Sequence, residues 1–518
     1  MFSDMMRATA QRHGDRPAVV FGDARLTHAE VYERACRLAN LLREHGVAPG
    51  EGVASLGRNR LSSIEELGAV ALGGFVRSPL YLQDAPQRQA FMLQRVRSAA
   101  LIVDAACWPP LAEALGAEGR AALKLVLVRD SGPDATAPAI DYEAALASSS
   151  VQDPRAEADP DETHVIRFSA GTTGMPKPIA HSQRAYCLAN EEVLSSTAPL
   201  APDDVYLAVS PYSHASGNLI WPFVRAGASH VLMSGGFDAD AALDLIERHR
   251  VTTLFLVPTM IQRLLSSPRC ATTDLSSVRR IVYGAAPIPQ DLIRRALDTF
   301  GDVLSQSYGQ SEIVPITCLT PADHRAEAEH PTGRLASAGR PTLNTAVRIE
   351  GADGAILGVG EVGQIVGRSP GAMQGIYGDP AATAERITAD GWVRTGDLGR
   401  IDEAGFLFVV DRMDDIIISG GFNIAPSEIE DALNLHAEVV EAVAFGIADP
   451  KWGSAPVAVV RLDAGSKLDG EALIEWCRQH VGPVKKPAQI LLVDDPLPVN
   501  AAGKLMRRVA KDVYADRF

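Results

Sequence analysis

Ser169-Ala170-Gly171-Thr172-Thr173-Gly174-Met175-Pro176-Lys177 is the stretch around which the rest of the chain is read. The apolar run before it, Val165-Ile166-Arg167-Phe168, predicts a buried strand. The residues after it, His181 to Glu192, predict a helix with Ser182 as its cap. Between them Gly171 and Gly174 let the backbone turn tightly and expose its amides. Ser169, Thr172 and Thr173 add hydroxyl donors, and Lys177 adds a fixed positive charge. Such a loop suits phosphate oxygens. It is not a Walker A loop, which ends in Gly-Lys-Ser/Thr, whereas Pro176-Lys177-Pro178 stands here. Taken alone, the same residues also suit a polar surface turn.

Outward from this loop, strand-like and helix-like stretches alternate. Ala18 to Phe21 and Leu26 flank Gly22-Asp23 as a small hairpin, and Thr27 caps a helix whose apolar face is Val31, Ala35, Leu38, Ala39, Leu41 and Leu42. Val53 to Leu56, Ala100 to Val103, Leu125 to Val128, Tyr206 to Val209, Thr253 to Val257 and Ile281 to Tyr283 read as strands. Ser62 to Gly73, Ala239 to Arg248 and Gln290 to Thr299 read as helices. This order predicts an α/β fold with largely parallel sheet and flanking helices. The stretch from Ser131 to Asp161, rich in Ala, Ser, Pro and Asp, reads as a loop-rich connection.

From Gly339 onward, turn residues punctuate short strands (Ala346 to Ile349, Gln364 to Gly367, Trp392 to Arg394, Phe406 to Val410), which predicts an antiparallel, barrel-like subregion. Gly358-Val359-Gly360-Glu361-Val362-Gly363 has the spacing of a dinucleotide fingerprint but precedes a strand rather than a helix, so it reads as a turn. Beyond Asp411-Arg412, Ser427-Glu428-Ile429-Glu430 matches a capping box opening a helix. Strands at Val439 to Phe445, Val457 to Arg461 and Ile490 to Val493, with a helix at Leu473 to His480, complete a small α+β unit. A boundary is therefore expected near Asp414.

The chain has 518 residues, more than one core accommodates, and a formal net charge of −15. That surface disfavours a nucleic-acid backbone as the main partner. The six cysteines are scattered without a CxxC pair, which suggests neither a zinc site nor a disulfide framework and fits a reducing, cytoplasmic setting. Neither a signal peptide nor a bilayer-spanning apolar run is read from the sequence.

Four further stretches bear on the phosphate loop: Gln306-Ser307-Tyr308-Gly309-Gln310-Ser311-Glu312; Thr395-Gly396-Asp397; Asp411 to Asp415 running into Ser419-Gly420-Gly421-Phe422-Asn423-Ile424-Ala425-Pro426; and Asn500-Ala501-Ala502-Gly503-Lys504. Together and in this order they resemble the adenylate-forming superfamily of acyl- and aryl-CoA synthetases, nonribosomal peptide adenylation domains and luciferases. The run Asp414 to Gly421, with Asn423 and Pro426 to Glu430, looks most like aryl- and medium-chain acyl-CoA ligases. Three positions depart from the family pattern: Ala170 where Ser is usual, Pro178 where Gly is usual, and Asp411 in place of Gly before Arg412.

The resemblance implies two half-reactions: a carboxylic acid and ATP give an acyl adenylate and pyrophosphate, then a thiol takes the acyl group. It implies that Ser169, Gly171, Thr172, Thr173, Gly174 and Lys177 wrap phosphates. Gly284, Ala285, Ala286, Tyr308 and Gly309 hold adenine, and Ser311 touches phosphate. Asp397 accepts from the ribose hydroxyls, with Arg412 close by. Glu312 holds Mg²⁺, and Lys504 bridges the carboxylate and the α-phosphate. Residues 1–412 form the large domain and residues 413–518 a mobile lid turning at Asp414. Gly420 and Gly421 let the pantetheine arm of CoA pass, and Trp452 lies either against CoA or in domain packing.

By the same resemblance, His214, in Pro211-Tyr212-Ser213-His214-Ala215-Ser216-Gly217, closes the acid pocket. Ala215, Ser216, Tyr283, Ser307, Gly309 and Val314 line it. Most of these are small, which leaves room for a bulky or ring-containing acid. No Asp lies between Pro211 and Asn218 to pair a substrate ammonium, which argues against an amino acid. The expected activity is an ATP- and Mg²⁺-dependent acid–CoA ligase. The alternatives are an enzyme that loads a carrier protein's phosphopantetheine, or a degenerate nucleotide-binding relative. The acid and the oligomeric state are not readable.

Overall fold

The computed structural model describes residues 1–130, 139–169, 175–233, 235–329, 332–419, 421–499 and 505–518. The expected positions Gly171, Thr172, Thr173, Gly174, Gly420 and Lys504 lie outside these. Backbone contacts divide the chain into two units. One holds Met1–Val347 with Gly367–Arg394, and the other Arg348–Val366 with Thr395–Phe518.

In the first unit, a nine-stranded sheet runs from Arg340–Pro341 through Ile313–Leu319, Leu304–Gln310, Arg280–Gly284, Thr253–Leu256, Val205–Ala208, Ser229–Leu232 and Pro17–Phe21 to Ala24–Thr27. Its inner strands are parallel; both edges are closed by antiparallel pairs. An eight-stranded sheet runs from Gly375–Ile376 through Lys177–Ser182, Thr163–Ser169, Val76–Pro79, Gly52–Leu56, Ser98–Asp104 and Leu125–Arg129 to Ala139–Asp141. Ser98–Asp104 and Leu125–Arg129 are buried along their whole length, as parallel strands covered on both faces must be.

Local chemistry fixes the helix starts. Thr27 and Glu30 form a reciprocal capping box on His28–Glu44. The Ser182 hydroxyl accepts from the Ala185 amide at 3.1 Å. That helix begins at Gln183, not at His181, because Lys177–Ser182 is a strand paired antiparallel with Thr163–Ser169. The described ends of the phosphate stretch, Ser169 and Lys177, are therefore paired across two antiparallel strands. Burial of Ile179 and Ala180 explains why this polar-looking segment extends the sheet. The connection expected to be loop-rich also contains a strand, Ala139–Asp141, and a helix, Tyr142–Ser148, capped by Asp141.

In the second unit, the expected barrel-like region takes the form of a four-stranded sheet. Its order is Ala346–Glu350, Gly363–Arg368, Val393–Ile401, Leu407–Arg412. The glycine-rich stretch before Gly363 is a turn, with the Gly358 amide donating to Glu361 at 2.5 Å. A three-stranded sheet, Val439–Asp449, Gly453–Leu462 and Gln489–Val493, carries cores on both faces. Ala458 and Val460 pack with Ile429, Leu433 and Leu473; Val457 and Val459 pack with Phe445, Leu497 and Tyr514. The period of two in Val457 to Val460 thus serves two layers. The capping box at Ser427 does not form. Pro426 occupies the first helical turn, and the Ser427 hydroxyl instead donates to the Val410 carbonyl at 2.8 Å.

Candidate active site

Parallel strands deliver loops at their carboxyl ends, where α/β folds place ligands. In the first unit, Val205–Ala208 leads into the Tyr212 to Gly217 motif, and Arg280–Gly284 leads into Ala285 and Ala286. Leu304–Gln310 turns into Ile313–Leu319 through Ser311 and Glu312. From the other sheet, Thr163–Ser169 ends at the start of the phosphate stretch, with Ser169 opposite Lys177. The sheets meet here. Arg167 of Thr163–Ser169 donates to the Ser311 carbonyl at 3.1 Å and to Asn218 Oδ1 at 3.2 Å.

Backbone approach decides several residue types. A Cβ on Gly284 would lie 2.2 Å from the Ser307 carbonyl oxygen of the paired strand, so only glycine fits. Ala285 follows with φ of 67°, a left-handed turn that lifts the chain off the sheet end. Gly309 sits where the register shifts between Tyr308 and Gln310, and a Cβ there would meet Ile313 O and Val314 Cγ2 at 2.9 Å. This bulge re-aims the Ser311–Glu312 tip. Tyr308 packs on the cluster of Ile179, Ile313, Ile316, Met373, Ile376 and Val393. Glu312 is 9% exposed, and its carbonyl accepts from the Met373 amide at 2.8 Å.

The His214 motif is pinned from three sides. Asn59 accepts from the Tyr212 amide and donates to the Ser210 carbonyl, both at 2.9 Å. Arg77 donates to the Tyr212 carbonyl at 2.8 Å. A Cβ on Gly217 would lie 2.3 Å from that same oxygen. His214 Nδ1 is 2.9 Å from Ser213 Oγ, and its ring lies 4.6 Å from the Tyr81 ring. Burial pushes the imidazole down to about 4, so it is neutral at pH 7.

Of the other expected pocket residues, Ala215 is half-buried, and Ser216 is fully buried with its hydroxyl bonded to Ser210 Oγ. Tyr283 is also fully buried, its hydroxyl 2.7 Å from His324 Nε2. Ser307 pairs with Gly284, and Val314 backs the Gly309 bulge.

In the second unit, Asp397 and Arg412 face each other across paired strands, with Arg412 Nε 2.7 Å from the Asp397 carboxylate. Asp414 lies in the short turn Met413–Asp415. Gly421 has φ of 86°, which a side chain would strain. Trp452 is 50% exposed on the turn joining Val439–Asp449 to Gly453–Leu462, with Lys451 Nζ 4.5 Å from its ring centroid.

Residues outside the sequence motifs hold these groups in place. Arg167 is a buried cation that interrupts the apolar run Val165-Ile166-Arg167-Phe168, and that interruption is a readable signal. Arg507 binds Asp411 at 3.1 Å, Asp415 at 2.5 Å and Glu430 at 2.8 Å, so the departure at Asp411 has a partner. Tyr81 belongs to no motif, and only the structure reveals its place.

The chain belongs to the AMP-binding enzyme family: the family's main model matches residues 6–377, and its C-terminal domain model matches residues 428–504. Among relatives, it is 36% identical to a feruloyl-CoA synthase of Amycolatopsis sp over 504 residues, covering 96% of this chain and 94% of that protein. It is 34% identical to the indoleacetate–CoA ligase of Aromatoleum aromaticum, covering 96% and 95%. Among solved structures, the amide bond synthetase McbA from Marinactinospora thermotolerans superposes with a TM-score of 0.87 at 31% identity, covering 99% of each chain. Among the described residues, no helix is long and apolar enough to cross a membrane.

Proposed function

We infer that this chain is an ATP-dependent acid–thiol ligase that activates a carboxylic acid as an acyl adenylate and passes it to CoA, with release of AMP. The observation that carries the reading is the grouping, at strand ends of the first unit, of the paired Ser169 and Lys177, the Gly284-Ala285 turn, the Ser311–Glu312 tip and the neutral His214. Two of the relatives named above are by name a feruloyl-CoA synthase and an indoleacetate–CoA ligase, and the small residues Ala215, Ser216, Ser307 and Gly309 suit a ring-bearing acid. The substrate class is therefore an aryl, alicyclic or other bulky or medium-chain acid.

Two anions must approach for adenylation, so charge has to be neutralised and the attack aligned. Lys177 and the amides of the preceding turn hold phosphates. The Gly284-Ala285-Ala286 backbone and Tyr308 flank adenine. Asp397, acidic and paired with Arg412, accepts from ribose hydroxyls. Lys504 bridges the carboxylate and α-phosphate oxygens. Ser311, its carbonyl fixed by Arg167, presents its hydroxyl to phosphate. Neutral His214 borders the acid without placing a second cation beside it.

Glu312 fits Mg²⁺, which takes one or two carboxylates and completes its shell with phosphate oxygens and water. When bound, the ion supplies neutralisation of phosphate charge.

For the second step, residues 413–518 act as a lid turning at Asp414, with Gly420, Gly421 and Trp452 along the path of CoA. The scattered cysteines, all free thiols, suit a cytoplasmic setting.

ATP–pyrophosphate exchange over aryl, alicyclic, terpenoid and straight-chain acids, with mass detection of products, tests the reading. Exchange plus a CoA thioester is the expected result. Parallel reactions with a holo carrier protein and with an amine identify the acceptor. A thioester formed only on the carrier, or an amide formed only with the amine, replaces CoA as acceptor. No exchange with any acid overturns the reading.

A further inference from the structure

Phe168 is the last residue before the phosphate stretch, one rung from the end of its ladder, where Ser169 pairs with Lys177. Its cross-strand partner Pro178 turns its carbonyl away, to the Tyr377 amide at 2.8 Å, so the Phe168 amide and carbonyl face the other neighbouring strand. That strand, Val76–Pro79, parallel and in register at Arg77 and Val165, has already ended in a proline. The next rung is supplied by a side chain. The Tyr81 hydroxyl donates to the Phe168 carbonyl at 2.5 Å and accepts from the Phe168 amide at 3.2 Å. The face of the same ring lies against His214. Tyr81 is itself held, since Gln89 Nε2 donates to its carbonyl at 2.9 Å and the Leu80 amide donates to Ser55.

We propose that Tyr81 is a positioning residue that couples the acid side of the site to its phosphate side. Its ring senses the His214 wall, and its hydroxyl fixes the backbone of the strand end that leads into the phosphate stretch. The inference rests on the acid-activating reading above. It adds a direct mechanical link between two loops that come from different sheets: an acid that presses on His214 moves the Tyr81 ring and, through one oxygen, the backbone of Phe168. No rearrangement of either sheet is needed.

The test separates ring from hydroxyl. Tyr81→Phe keeps the ring against His214 and deletes both hydrogen bonds. Losing that hydroxyl pair is expected to raise KM for ATP in pyrophosphate exchange roughly tenfold. The ratio of kcat/KM between a small and a bulky acid should stay at the wild-type value. Tyr81→Leu, which removes the ring as well, should change that ratio. Turnover of supplied acyl adenylate and CoA should survive in both variants, which certifies the fold. Amide hydrogen exchange adds a readout independent of activity: Phe168 should exchange faster in Tyr81→Phe, with the rest of Thr163–Ser169 unchanged. Wild-type KM for ATP in Tyr81→Phe, equal loss of both half-reactions, or an unchanged Phe168 exchange rate overturns the proposal. Should the wild-type enzyme show no exchange with any acid, the functional reading fails, and the Phe168 measurement still decides whether Tyr81 holds the strand end.

Discussion

His214 and Lys504 carry separable expectations. His214 is a neutral ring beside the Tyr81 ring and the Ser213 hydroxyl, so its truncation should be felt by the acid more than by the nucleotide. His214→Ala is expected to shift the kcat/KM ratio between a small and a bulky acid by more than it changes KM for ATP; a constant ratio would remove His214 from the acid pocket. Lys504 acts, by family resemblance, on the charge that builds during adenylation. Loss of one preorganised donor at such a position costs roughly 10²–10³ in rate. Lys504→Ala should therefore lose pyrophosphate exchange by that factor yet still convert supplied acyl adenylate and CoA to thioester. Wild-type exchange, or equal loss of the second step in a folded variant, would sink both this role and the lid rotation.

Among the elements, the helix Arg507–Tyr514 is fastened by a single guanidinium. Arg507 reaches Asp411 at the end of Leu407–Arg412, Asp415 at the end of the Met413–Asp415 turn, and Glu430 on Pro426–Asn434. Three carboxylates facing one buried cation leave a large uncompensated charge when it is removed. Breaking such a network typically costs about 3–5 kcal/mol. Arg507→Met is expected to lower the denaturation midpoint of the second unit by a corresponding amount, seen by calorimetry, whereas Arg507→Lys should recover only part of it. An unchanged midpoint would mean the network is idle.

The same elements show what a sequence reveals. Helix His28–Glu44 was legible from Thr27 and its apolar face, because local chemistry decides it. The start at Gln183 was not, because Lys177 to Ser182 becomes a strand only by pairing with Thr163–Ser169. Ser427 misled for a related reason: its hydroxyl had a better acceptor, Val410, far away in the chain. Motif residues such as Gly284 and Gly309 were legible because backbone contact permits nothing larger. Tyr81, Arg167 and Arg507 act on partners that sequence spacing does not announce.

For the whole molecule, burial of neutral histidines sets an acid limit. His28 and His214 are pushed down to about 4, His164 and His230 to about 3, and His181 well below its ordinary range, each chiefly by desolvation. Unfolded, these rings bind protons near pH 6.5. Between that pH and the folded values the unfolded chain holds more protons, so stability falls as pH falls from about 6.5 to about 4. Glu65, raised by burial to about 7, opposes this: its contribution is present at low pH and lost as pH rises towards 7. Asp431, raised by burial to about 6, and Asp84, Glu191 and Glu430, raised in the same direction, oppose it likewise, but His249 and His324 are also pushed down by burial and the histidines outnumber these carboxylates. The melting temperature should therefore drop steadily from pH 6.5 to pH 4; a flat or rising profile would show that these rings are solvated. The topology of the nine-stranded sheet has a temporal consequence as well. Pro17–Phe21 pairs with Ser229–Leu232, which follows about two hundred residues later, and at roughly 5–20 residues per second a ribosome takes on the order of ten to forty seconds to make that partner. Throughout that interval the hairpin Pro17 to Thr27 waits beside the exit tunnel with an unpaired apolar edge, so the nascent chain, rather than the finished enzyme, is the form most dependent on chaperones.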